Sequence, residues 1–137
     1  MDLKQFDLNK IAEEGVTFTL LHPNGEEFDL PEDKKPTITV AGRDSETFRA
    51  ADKEEKAKLN AMSQKQRNKV DMDYLRKQSI NILVKCVLGW TNIEENGKAV
   101  PCNATNKNRI LRDPGYAWIM DQVEEHANDR AKLFLGK

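Results

Sequence analysis

Two histidines, two cysteines and a series of acidic pairs are the side chains in this 137-residue chain with chemistry to offer. His22 precedes a proline at the end of an alternating stretch, and His126 follows Glu124 and Glu125. Neither has a second ligand at the short spacing that zinc sites use. Cys86 falls in the most apolar run of the chain and reads as a small core residue. Cys102 follows Pro101 with no histidine near it in sequence, and a thiol without a base or an electropositive neighbour is inert rather than nucleophilic. The pairs at 13–14, 26–27, 54–55, 94–95 and 124–125 are too many to mark one catalytic couple; they read as solvated faces in a chain that is 33% charged. The seven glycines are scattered at turns and form no phosphate loop, and no serine has a nucleophile-elbow context. The expectation is a non-catalytic protein without cofactor or metal.

Charge excludes little. Acids and bases nearly balance, at a formal net charge of −1, so no general attraction to nucleic acid or anionic membrane is implied. Lys56, Lys58, Lys65, Arg67, Lys69, Arg76 and Lys77 could touch phosphates from a helix. Acids interleave with them and few aromatics accompany them, which argues against nucleic-acid binding. Two cysteines are too few for a disulfide framework. The first ten residues have no signal-peptide character, and the run at 80–88 is too short to cross a bilayer, so the chain reads as cytosolic.

The elements that would position these residues are legible from periodicity. Residues 7–14 form a short helix, with Asp7 or Asn9 as cap and Gly15 past its end. Thr17 and Thr19 alternate with Val16, Phe18 and Leu20, which is strand periodicity. Asn24-Gly25 is a turn, 27–30 could return as an antiparallel strand, and 37–41 is a β-branched third strand. Together 16–42 predicts a small antiparallel sheet of two or three strands. Asp44 or Ser45 caps a charged helix through residue 69, whose sizeable apolar side chains after Asp52 are Leu59 and Met62. Such a helix either projects into solvent or is ordered by a partner. Residues 70–137 form a helical core: a central helix through Leu88 stopped by Gly89, a connector at 91–101 with a turn at Asn96-Gly97, a helix at 104–112 capped by Asn103, and a helix entered through Asp113-Pro114. The fold class is α+β, one mainly helical domain over 1–137 with a small N-terminal antiparallel sheet. The apolar triplet Leu133, Phe134 and Leu135 requires burial, either by docking back on the domain or against a partner.

Several phrases occur together: IAEEGVTFTLLHPNGEEFDL at 11–30, TITVAGRDSETFRAA at 37–51, VLGWTNIEENGKAVPCNATNKNRIL at 87–111, and HANDRAKLFLG at 126–136. Gly15, Leu21-His22-Pro23 with Gly25, Gly42-Arg43-Asp44-Ser45, Gly89-Trp90, Asn96-Gly97 and Asn128-Asp129-Arg130 are their most characteristic pieces. Over roughly 8–134 the chain resembles the tail assembly chaperones of long-tailed bacteriophages and prophages. Cys102 departs from the resemblance, standing where an aromatic or larger apolar residue is expected. The resemblance implies a protein of the host cytoplasm that binds the tape-measure protein and keeps it soluble until tail-tube subunits polymerise around it. Leu59, Met62, Leu133, Phe134 and Leu135 are the expected client contacts, and homo-oligomerisation is an equally physical use of them. The alternative is a structural minor tail or neck protein retained in the virion.

Overall fold

The computed structural model describes residues 1–135, the side chain of Leu135 excepted. It is an α+β fold in which helices pack on one face of a three-stranded antiparallel sheet. Asp2 caps a single 3-10 turn at Leu3–Phe6, and Asp7 caps helix α1, Leu8–Glu14, accepting from the Asn9 N–H at 3.0 Å. Gly15 ends it at φ +81°, and a Cβ there would lie 2.6 Å from the Val40 carbonyl oxygen, so both backbone angle and space demand glycine. Strand β1, Val16–Thr19, then pairs with β2, Thr37–Val40, in the register Val16 to Val40.

The third strand is not the segment at 27–30, which forms no strand; it is β3, Val87–Thr91, on the far side of β2. The central helix, α4 at Met72–Cys86, therefore stops two residues before the expected Leu88 and passes into β3 without a loop. β2 supplies the reason: its second edge needs partners, and the Ala41 N–H takes the Cys86 carbonyl at 2.8 Å. The register slips where Val40 meets Val87 and Thr39 meets Gly89, so Leu88 is the extra residue of a bulge and is turned outward. On the outer face Thr17 bonds Thr39 at 2.7 Å and Thr37 bonds Thr91 at 2.6 Å. The inner face presents Phe18, Ile38, Val40 and Val87 to the helices. The connector also carries structure: strands β4, Glu94–Glu95, and β5, Lys98–Ala99, form a hairpin about Asn96 and Gly97, both at positive φ.

The expected charged helix at 45–69 is broken. Helix α2, Glu46–Asn60, begins on the buried cap Ser45, and a separate turn α3, Gln64–Arg67, begins on Ser63. Ser63 and Gln66 satisfy each other's backbone N–H groups as a capping box, which outcompetes continuation of α2. Nor does α2 project into solvent. It packs along α4 through Ala51 and Glu55, and Lys85 reaches Glu54 at 2.6 Å.

Helices α5, Ala104–Leu111, and α6, Ala117–Asn128, close the core with Ile110, Leu111, Ile119, Met120, Val123 and Ala127. Asn103 caps α5 as expected; Asp113 and Pro114 form a 3-10 turn, Pro114–Tyr116, ahead of α6. Gln122 of α6 holds the end of the first strand segment by accepting from the Leu21 N–H at 2.8 Å and donating to its carbonyl at 2.9 Å. Helix α7, Arg130–Leu135, returns over α1.

Candidate functional site

The five expected client contacts do not form one surface. Leu133 is 1% exposed and lies against Gly42, where an added Cβ would come within 2.8 Å of Leu133 Cδ1 and 3.2 Å of Ala12 Cβ. Burial of a leucine contributes about 1.5–3 kcal/mol, so docking back onto the domain wins over display to a partner, and Leu133 is corrected to a core residue. Phe134 is half-buried with its ring 6.4 Å from that of Phe6, and the side chain of Leu135 lies outside the described residues. Leu59 and Met62 are half-buried near the end of α2, where Met62 borders a shallow depression with Tyr74 and Gln78.

The chemistry-bearing residues are likewise placed as structure. His126 is not on a solvated face: it stacks on Phe18 with centroids 3.8 Å apart and planes 6° from parallel. Its Nδ1 lies 2.9 Å from the Gln122 carbonyl, which can only accept, so Nδ1 carries a proton. His22 Nδ1 accepts from the Asn24 N–H at 3.0 Å and shapes the turn. Burial pushes the Cys86 thiol up to about 12 and also raises that of Cys102, so neither is a thiolate at neutral pH. Among the described residues no three His, Cys, Asp or Glu side chains converge as metal ligands do.

What the structure does bring together is an apolar cleft of about 220 Å³. Leu20, Ile110 and Ile119 line it from the core, and Phe28, Leu30 and Trp118 line it from the surface. The segment after β1 crosses it as an irregular loop. Phe28 sets its ring 6.4 Å from Trp118 and 5.4 Å from His22, while Leu30 stays 45% exposed. Asn92 pins the far end of this loop by donating to the Asp33 and Lys35 carbonyls at 3.1 and 3.0 Å. Tyr116 closes another side, its hydroxyl donating to Glu95 at 3.0 Å; that carboxylate holds the phenol above its ordinary value. Arg109 pairs with the same Glu95 at 2.8 Å.

The volume decides what the cleft can hold. It lies below the roughly 300–1,000 Å³ of small-molecule sites and suits one or two large apolar side chains. Its only sequence signal was the alternation Phe28, Asp29, Leu30, which reads equally as a strand; the apolar pair points to one side because it lines a cleft, not because it joins a sheet. Comparison with protein-family models, curated proteins and solved structures finds no match for this chain.

Proposed function

We propose that this protein is a non-catalytic tail assembly chaperone, of the kind its sequence resembles, that binds the phage tape-measure protein in the host cytoplasm and keeps it soluble during tail assembly. The observation that carries the reading is the aromatic-rimmed cleft: an open apolar site, sized for side chains, on a surface otherwise rich in charge. A client that must later be released calls for such a modest patch and not for a deep pocket. Phe28, Leu30 and Trp118 replace the C-terminal triplet as the principal contacts, and Leu59 and Met62 remain accessible as secondary ones. No described helix is long and apolar enough to cross a membrane, which is compatible with a cytoplasmic client.

Co-expression of the tagged chain with the tape-measure protein of the same genome tests this. The expected result is a soluble complex that is lost, at unchanged thermal stability, when the exposed Leu30 is replaced by Ser. A tape-measure protein that precipitates regardless, with this chain recovered in purified particles, overturns the chaperone reading in favour of a minor tail or neck component.

A further inference from the structure

The carboxylates around the cleft identify the kind of segment it accepts. Glu26, Glu27, Asp29, Glu32 and Asp33 follow one another on the crossing loop with no base among them, and Glu94 and Glu95 line the same cleft. Local bases answer only part of this charge: Lys34 on the same loop and Lys98 across the hairpin from Glu95 are exposed without an ion pair among the described residues, two bases against four free carboxylates. Lys35 is shared between Glu27 at 3.5 Å and Glu32 at 3.2 Å, and Arg109 is engaged by Glu95. Glu26, Asp29, Asp33 and Glu94 are exposed and have no cationic partner among the described residues. Three of these four belong to residues at the lining or joined to it: Asp29 lies between Phe28 and Leu30 in the chain, the Asp33 backbone carbonyl accepts from Asn92, and Glu94 is itself part of the wall. Carboxylates beside the lining act within the screening length of about 8 Å at physiological salt.

We infer that the cleft binds a basic amphipathic protein segment, one or two large apolar side chains entering between Phe28, Leu30 and Trp118 while flanking Lys or Arg residues meet the unpaired carboxylates. This rests on the chaperone reading for the client's identity but not for the site's chemistry. The same rim repels nucleic-acid phosphate and acidic peptides. Ion pairs at an exposed rim contribute modestly each and act mainly on selectivity and association rate, whereas the apolar anchor supplies most of the affinity. Both parts are therefore needed, and they separate by salt.

The test is fluorescence anisotropy of the full-length chain with three labelled synthetic peptides. One carries Leu and Phe anchors flanked by lysines, one the same anchors flanked by glutamates, and one lysines with the anchors replaced by serine. The expected order is the basic anchored peptide tightest, by about tenfold over the acidic one, with the gap closing as salt rises from roughly 0.05 to 0.5 M. Leu30→Ser should weaken both anchored peptides, and the combined reversal Glu26→Lys, Asp29→Lys and Glu94→Lys should invert their order; all four sites are exposed, and unchanged circular dichroism checks the fold. Equal binding of the basic and acidic peptides overturns the inference. So does full binding of the anchorless basic peptide, or a chain that self-associates through the cleft and is not displaced by peptide. If the charge-reversed variant still solubilises the tape-measure protein and the peptides show no preference, the inference fails and the chaperone reading stands. If the preference holds but no tape-measure complex forms, the reading of function fails and the site's chemistry stands.

Discussion

Asp44 and Arg130 lie in two of the phrases that carry the family resemblance, 86 positions apart, and fold into one bidentate ion pair at 2.6 and 2.8 Å. The Arg130 guanidinium, through its hydrogen bonds first and its charge second, holds the Asp44 carboxyl below the ordinary carboxylate value despite partial burial. A carboxyl depressed on folding contributes stability above its unfolded value of about 3.9, and that contribution is lost as pH falls through the lower folded value. Asp44→Asn should accordingly lower the melting temperature at neutral pH by roughly 2–4 °C, a modest figure because solvent screens the pair. The difference from wild type should shrink once pH drops below about 4 and through the native Asp44 titration; melting curves across that range check it. A difference independent of pH would mean that packing, not charge, ties α7 down. Legibility at this scale follows range. Asn103 caps where the sequence places a cap, and of Asp7 and Asn9 it is Asp7 that does so, because a cap is satisfied by N–H groups two or three residues away; Asp113 caps a 3-10 turn and not helix α6, which follows Tyr116 without a side-chain cap. Periodicity and capping rules offer Asp44 no role beyond rivalling Ser45 for a cap, since its true partner is remote.

Helix α2 is where composition and fold disagree most. Its run of Lys and Glu reads as a helix without a core-facing stripe, yet Ala51 and Glu55 are buried against α4. Small Ala51 permits close approach, Glu54 meets Lys85, and Glu55 keeps Lys58 at 3.3 Å. Hydrogen exchange should show it: amides of residues 50–58 protected comparably to those of α4, and amides of α3 exchanging at least about tenfold faster. Unprotected α2 amides would restore the picture of a helix awaiting a partner. The Ser63–Gln66 box that divides α2 from α3 is a local signal, masked because the surrounding polarity hides any change in periodicity. The end of α4 had no such signal. Val87 continues an apolar run, and only the open edge of β2 converts it to a strand.

At the scale of the whole molecule β3 welds the two halves together, since the sheet takes β1 and β2 from the first forty residues and its third strand from the helical half. Residues 1–69 expressed alone should lack that strand and the helices α4 and α6 that cover its inner face, and should give disordered spectra. Adding 70–137 in trans and recovering native circular dichroism would check the dependence, whereas a folded 1–69 fragment would refute it. The same long-range assembly makes the cleft, whose lining comes from Leu20 just past β1, the crossing loop, the segment after β3, α5, and the entry and first turn of α6. The α+β class, the first two strands, the Asn103 cap and the buried Cys86 follow from the amino-acid sequence alone, because periodicity and capping act over one turn or one strand. The third strand, the packing of α2, the burial of Leu133 and the cleft were decided only by tertiary structure. Each depends on a partner surface, and no local pattern specifies which distant edge or face a given apolar side chain will meet.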